Sequence, residues 1–217
     1  MYSILFTLSC VLMFYAMTVY FDKKDREFCS RHLLASRIVP YMAANCVIMM
    51  LLYPFVTDKT VIYTSVVMAY MMFTCYIDIH YKKIYSFPTY AVLLLSAGLI
   101  IIRCANRDLS PAGITAAVVW SLFITAVFIA VKMGRGDVGL ITVFHLYILI
   151  ISGRPEPDIL PLVGRLSESL LITVAIYILY SACSLLYQRV IRKKGKEMIP
   201  FAPSVYMALI IASVNYG

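Results

Sequence analysis

Two aspartates stand where hydrophobic runs end, and their side chains could carry acid–base chemistry. Asp137 closes the string Gly134-Arg-Gly-Asp137, shortly after the uncharged run 112–131, and Asp78 follows the run 60–77. An ionisable residue at such a position is costly and usually functional. Two carboxylates held close together share one proton. The ionised member can activate a water, and the protonated member can polarise a carbonyl and protonate a leaving amine. The pair therefore indicates aspartic-type hydrolysis of a peptide bond.

The elements that must position this pair are membrane helices. The 217 residues are 62% hydrophobic and 14% charged, against about 25% charged in an average soluble domain. Most uncharged stretches approach the ~20 residues that cross ~30 Å of hydrocarbon, and their continuous apolar character favours helices over alternating barrel strands. We predict one all-α, polytopic membrane-embedded domain, 1–217, with about eight transmembrane helices in the stretches 1–21, 38–57, 60–77, 84–102, 112–131, 138–153, 169–188 and 198–217.

Basic residues are unequally divided between the two faces of this eight-span arrangement. The loops after spans one, three, five and seven carry 14 of the 19 Lys and Arg residues. The positive-inside rule places those loops in the cytoplasm. The same rule explains the net charge of +8, because the basic residues lie in short loops beside the lipid bilayer. Nucleic acid is therefore not expected as a partner. Two spans separate Asp78 from Asp137, so both aspartates emerge on this face. Its basic residues are Lys23, Lys24, Arg26, Arg31, Arg37, Lys82, Lys83, Lys132, Arg135, Arg189, Arg192, Lys193, Lys194 and Lys196.

Other polar residues and loops receive structural interpretations. We expect a short cytoplasmic loop at 22–37 and an irregular or interfacial external segment at 153–168. Asn45 is interpreted as an interhelical hydrogen-bonding residue, and His145 as a hydrogen-bonded packing residue, with tuning of the aspartates as the alternative. His80 is expected to face the lipid headgroups rather than the site.

The two glycines beside Asp137 have a predicted backbone role. Gly134 and Gly136 lack a Cβ, so they would allow a sharp turn between spans five and six. They would also allow an extended substrate to approach the backbone. Neither a metal nor another cofactor is expected, because paired aspartates need only water and none of the six cysteines forms a C-x-x-C pair.

Three short motifs occur in a fixed order along the chain. They are Asp78-Ile-His-Tyr-Lys-Lys-Ile84, Gly134-Arg-Gly-Asp-Val-Gly-Leu140 and Ile199-Pro-Phe-Ala-Pro203. In order, spacing and membrane position they resemble the motifs of the type IV prepilin peptidases, membrane aspartic proteases with a GxGD motif. The resemblance covers roughly residues 60–217.

The resemblance implies a catalytic role for Asp78 and Asp137. It implies cleavage of a prepilin- or pseudopilin-like protein at the cytoplasmic face of a prokaryotic cytoplasmic membrane. In that family a basic leader is removed just before the substrate's hydrophobic helix, commonly after a glycine. Larger members carry a domain with paired cysteines and N-methyltransferase activity between the first two spans. Here that place holds only the loop 22–37 with Cys29, so the resemblance implies a peptidase-only form.

The chain departs from the family pattern at four positions while retaining both aspartates. Tyr85 and Ser86 replace the usual Pro and Asn, Gly139 replaces a lysine, and Ala202 replaces a glycine. These departures bear on substrate preference and rate.

Four other interpretations remain open at this level. The aspartates could be ordinary loop residues paired with Lys82, Lys83 or Arg135. The chain could be a presenilin-like protease that cuts within a transmembrane helix. It could be a transporter or channel that uses the aspartates for protons or cations, or a non-proteolytic pilus-assembly subunit.

Overall fold

The computed structural model describes residues 2–24, 31–57, 60–82, 84–152, 159–187 and 199–216. These residues form eight α-helices and one short 3-10 helix at Tyr53–Phe55, with no strand among them, which confirms the all-α prediction. The α-helices are α1 (Tyr2–Lys24), α2 (Arg31–Leu52), α3 (Val61–Tyr81), α4 (Ser86–Ala105), α5 (Pro111–Ala130), α6 (Arg135–Ser152), α7 (Ile159–Tyr187) and α8 (Ala202–Tyr216).

The described helices make this a multi-pass membrane protein. Six helices, α2 to α7, are long and apolar enough to cross a bilayer. Two shorter apolar segments, Thr7–Phe21 within α1 and the whole of α8, accompany them. Helix α8 has 15 residues, or about 22 Å at 1.5 Å per residue, which is less than the ~30 Å hydrocarbon thickness.

Helices α3 and α6 form the centre of the bundle. In α3, 83% of the membrane segment is buried, and in α6 56%, against 11–22% in the other four long helices. Helix α3 packs against α1, α4 and α8, whereas α6 packs against α4, α5 and α8. Helices α4 and α8 therefore both join the two central helices, and the ends of α3 and α6 carry Asp78 and Asp137.

Polar side chains connect the packed helices, as predicted for Asn45. Its amide nitrogen donates to Cys10 Sγ in α1 over 3.3 Å, and its amide oxygen accepts from the Tyr206 hydroxyl of α8 over 3.2 Å. Asn45 is buried, so both halves of its amide are paired where water cannot replace the partners. The interhelical role of Asn45 is confirmed.

Two helix boundaries differ from the prediction. Helix α7 begins at Ile159, so residues 159–168 are helical rather than irregular. Its Pro161 lies in the first turn, where a missing amide hydrogen costs nothing. Arg165, in the second turn of α7, donates a hydrogen bond to the Ser152 carbonyl at the end of α6 over 2.9 Å. The loop predicted at 22–37 is also shorter, because α1 continues to Lys24 and α2 begins at Arg31.

Some predicted features lie outside the described residues. The division between the second and third spans is confirmed by the 3-10 helix and the start of α3, although Asp58 and Lys59 themselves are not described. Cys29, Lys83 and the basic segment 189–196 also lie outside the described residues.

Candidate active site

Asp78 lies in the last turn of α3 and is held by the start of α8. Its side chain is 8% exposed. Its Oδ2 accepts a hydrogen bond from the Ala202 backbone amide over 2.9 Å, and the Phe201 amide also donates to the carboxylate. The first amides of a helix have no partner within it, and they carry the positive end of the helix dipole. The Phe-Ala-Pro segment of the third motif therefore binds the first aspartate through its backbone.

The end of α3 is shaped directly after Asp78. Lys82 adopts a left-handed conformation, with φ 54°, and its amide donates to the Asp78 carbonyl over 3.1 Å. This residue ends the helix one turn beyond the carboxylate. Asp78 is thus part of a helix and not of a loop, although the charge of Lys82 does act on its carboxylate, as the ordinary-loop interpretation held.

Asp137 lies in the first turn of α6 and accepts from the amide just ahead of that helix. The Gly134 carbonyl accepts the first helical hydrogen bond from Val138, and the Gly134 amide donates back to the Asp137 carboxylate. The contact of the Asp137 carboxylate with the Gly134 amide is one half of a capping box, and the other half is missing because Gly134 has no side chain. Asp137 is therefore fixed by its own helix start and is half-buried.

The glycines beside Asp137 leave space at the start of α6. No glycine among the described residues has a positive φ, so the role of Gly134 and Gly136 does not rest on a left-handed backbone. The left-handed residue between α5 and α6 is Lys132, with φ 59°. A Cβ on Gly134 would lie 3.0 Å from Asp137 Oδ2. Gly134 is needed because the carboxylate folds back over it.

Gly136 brings the first two motifs into contact. A Cβ at this position would lie 2.6 Å from the Ile84 Cβ and 3.0 Å from its Cγ2. Real Cβ atoms essentially never approach this closely. The start of α6 therefore rests directly on the residue that ends the Asp78 motif.

The two carboxylates lie at the same end of the bundle and interact. The charge of Asp78 acts on Asp137 across the interface between the three motifs. Tyr180 of α7 also lies within electrostatic reach of Asp78. Sequence reasoning missed Tyr180, since nothing in its local sequence separates it from the other tyrosines. It also missed the Phe201 and Ala202 amides, because a backbone contact leaves no residue signature.

The departures from the family pattern gather beside the site. A Cβ on Gly139 would lie 2.8 Å from Thr89 Cγ2 in α4, so a lysine can replace this glycine only if the Thr89 side chain or α4 moves. Thr89 is held in place by hydrogen bonds to the Tyr70 hydroxyl over 2.8 Å and to the Tyr85 carbonyl over 3.0 Å. The Tyr85 ring stacks on Phe21 at 4.8 Å between centroids. Gly139 and Tyr85 thus belong to one packed surface between α1, α3, α4 and α6.

His145 and His80 have ring partners other than the aspartates. His145 is 1% exposed and packs beside the rings of Trp120 and Phe144, at 6.5 and 6.0 Å between centroids. Neither of its nitrogens has a hydrogen-bond partner among the described residues, so its packing role is confirmed and its predicted hydrogen bond is wrong. His80 is exposed, as expected, and its Nε2 lies 3.3 Å from the Tyr41 hydroxyl.

The chemistry available here is that of two carboxylates supported by backbone amides. Within the described part of the chain, His, Cys, Asp and Glu form no group of three or more that could hold a metal ion. Two carboxylates that come within hydrogen-bonding distance can share a proton and polarise a water. The arrangement can therefore supply a general base and a general acid to one substrate carbonyl.

No protein-family model matches this chain, and neither a curated protein nor a solved structure matches it. The resemblance to prepilin peptidases thus rests on the three motifs.

Proposed function

We propose that this chain is a membrane aspartic endopeptidase that removes the leader of a type IV prepilin- or pseudopilin-like protein. One observation carries the proposal: three motifs that are distant in sequence meet at one end of the bundle. The third motif donates amides to Asp78, and the glycine next to Asp137 rests on Ile84 of the first motif. Loop residues without a shared function would not be expected to meet at one place in the fold.

The proposed reaction uses the aspartates as a unit. The ionised carboxylate takes a proton from a water, whose oxygen attacks the scissile carbonyl carbon. The protonated carboxyl stabilises the developing oxyanion by hydrogen bonding. Collapse of the tetrahedral intermediate breaks the C–N bond, and a carboxyl proton passes to the leaving amine. One water is consumed, and the products are a new carboxyl terminus and a new amino terminus. The two aspartates titrate together, so base and acid are properties of the pair.

The position of the aspartates supports cleavage at the membrane surface. Asp78 lies in the last turn of α3 and Asp137 in the first turn of α6. A presenilin-like enzyme would cut inside a transmembrane helix, and transporter sites lie near the bilayer midplane. Carboxylates at helix ends suit cleavage of a bond at the membrane–water boundary better than cleavage within a transmembrane helix or transport at the bilayer midplane. The basic loops on this face support a cytoplasmic orientation.

The direct test is processing of a co-expressed prepilin-like precursor in membranes. We expect Asp78→Asn and Asp137→Asn each to reduce cleavage at least about 100-fold, the lower range for loss of general acid–base catalysis. Asp108→Asn is a matched control, because Asp108 lies between α4 and α5 at the opposite end of the bundle. Processing at the normal rate by either site variant refutes the catalytic assignment.

Three further readouts test the proposed function against other mechanisms. Mass spectrometry of the mature product should place the cut just before the substrate's apolar helix, and a cut inside that helix would favour the presenilin-like interpretation. Chelation with EDTA should leave the rate unchanged. Ion flux in liposomes that depends on Asp78 or Asp137, without proteolysis, would favour a transporter.

A further inference from the structure

An apolar cleft runs along α3 between α1 and α4. It encloses about 660 Å³ and opens to the outside of the bundle. Val66 and Tyr70 of α3 form its floor. The α1 wall includes Met13, Ala16 and Met17, and the α4 wall includes Ala91 and Leu95.

This cleft is continuous with the candidate site. Phe21 lines the cleft, and its ring stacks on Tyr85. The floor residue Tyr70 is hydrogen-bonded to Thr89, whose methyl group faces Gly139. Gly139 follows Asp137 by two residues in α6. The end of the cleft near Phe21 therefore abuts the helix turn that carries the second aspartate.

We propose that this cleft receives the transmembrane helix of the substrate and holds it beneath the scissile bond. The inference rests on the proposed peptidase function, in which the bond lies just ahead of an apolar helix. Such a helix must stay in the hydrocarbon while the bond ahead of it reaches Asp78 and Asp137. The cleft is an apolar space whose Phe21 end lies beside the packed residues next to Asp137.

The composition of the walls suits a helix. Ala16 and Ala91 present small side chains from opposite walls, and small residues allow two helix backbones to approach within the membrane. Met13 and Met17 are unbranched and adaptable, so they can pack against helices of different sequence. A lipid acyl chain is the competing occupant. Its binding would not depend on the position of the cleft beside the aspartates.

Site-specific photo-crosslinking tests this proposal directly. A photoreactive residue replaces Leu95, which lines the cleft and is 40% exposed, or Leu94, which is 74% exposed and does not line it. Both are placed in the Asp137→Asn background with a co-expressed prepilin-like precursor, so that uncut precursor persists. We expect crosslinks from position 95 to the precursor's apolar helix, and only background from position 94.

A second measurement uses variants with intact aspartates. Ala91→Trp fills the cleft and should slow precursor cleavage about tenfold, the effect of a modest steric penalty on substrate placement. Leu94→Trp adds the same bulk outside the cleft and should cleave normally. Thermal unfolding of both variants in detergent checks that the fold is retained.

The outcomes distinguish failure of the docking proposal from failure of the proposed peptidase function. If wild type cleaves the precursor but position 95 labels only lipid, or labels the precursor no better than position 94, the docking proposal is overturned and the peptidase stands. If wild type does not cleave the precursor, the proposed function fails and the docking proposal fails with it. If Ala91→Trp is misfolded, the crosslinking result alone decides.

Discussion

Replacing Gly136 with alanine should impair catalysis while leaving both aspartates in place. The new Cβ would lie 2.6 Å from the Ile84 Cβ, about 0.8 Å short of the 3.4 Å at which ordinary contact begins. Both atoms are attached directly to the backbone, so no side-chain rotation can relieve the overlap. The start of α6 must therefore move away from Ile84, and Asp137 moves with it.

The size of the effect follows from this displacement. A misplacement of about 1 Å in a catalytic group can cost about 100-fold in rate. Overpacking costs about 1–3 kcal/mol in stability, and the better helix propensity of alanine returns up to about 1 kcal/mol. We therefore expect precursor cleavage to fall by about 100-fold, while the free energy of unfolding falls by at most about 3 kcal/mol.

The assay compares cleavage rate and thermal unfolding across a matched set. Gly98→Ala and Gly164→Ala add the same methyl group to helices α4 and α7, where nothing lies within 4 Å of it. Both controls should cleave normally. Ile84→Gly removes the opposing Cβ and should restore much of the rate to Gly136→Ala, whereas Ile84→Ala keeps that atom and should not. Wild-type cleavage by Gly136→Ala would show that the contact does not set the distance between the aspartates.

Three further variants probe the packing around the site. Ala202→Pro removes the amide that donates to Asp78 and should reduce cleavage at least about tenfold, since a hydrogen bond to a charged group is worth about 1.5–3 kcal/mol; an unchanged rate would make that bond dispensable. Gly139→Ala should lower the unfolding free energy by about 1–3 kcal/mol. The loss should be smaller in a Thr89→Ser background, which removes the clashing methyl group but keeps the hydroxyl. Equal losses in both backgrounds would contradict the contact between residue 139 and Thr89. Asn45→Ala should cost about 1 kcal/mol in detergent unfolding through its two interhelical hydrogen bonds, and an unchanged melting temperature would exclude that role.

The helices were predictable because each depends on a local property. A bilayer requires about 20 apolar residues per span, so the length of an uncharged run is enough to place a helix. The boundaries were less predictable at α2 and α7. Charge marks where the hydrocarbon ends, but the backbone continues its helix beyond that limit, as it does from Arg31 and from Ile159.

The glycines show which part of their role the sequence could not specify. Gly134 and Gly136 were singled out because they lack a Cβ at a sharp turn, whereas the left-handed residue of that turn is Lys132. Their actual role is to leave space for the Asp137 carboxylate and for Ile84. His145 is a similar case, because burial was expected but the partners of its nitrogens depend on which helices surround it.

The sequence by itself determined the helical fold and predicted that Asp78 and Asp137 emerge at the same end of the bundle, because span length and the even number of spans between them follow from the order of residues alone. Tertiary structure decided how that end is built. The Ala202 amide reaches Asp78, the start of α6 rests on Ile84, and the cleft between α1 and α4 leads to Gly139. Each of these contacts joins residues distant in the chain, and a hydropathy pattern carries no information about which faces of two helices meet.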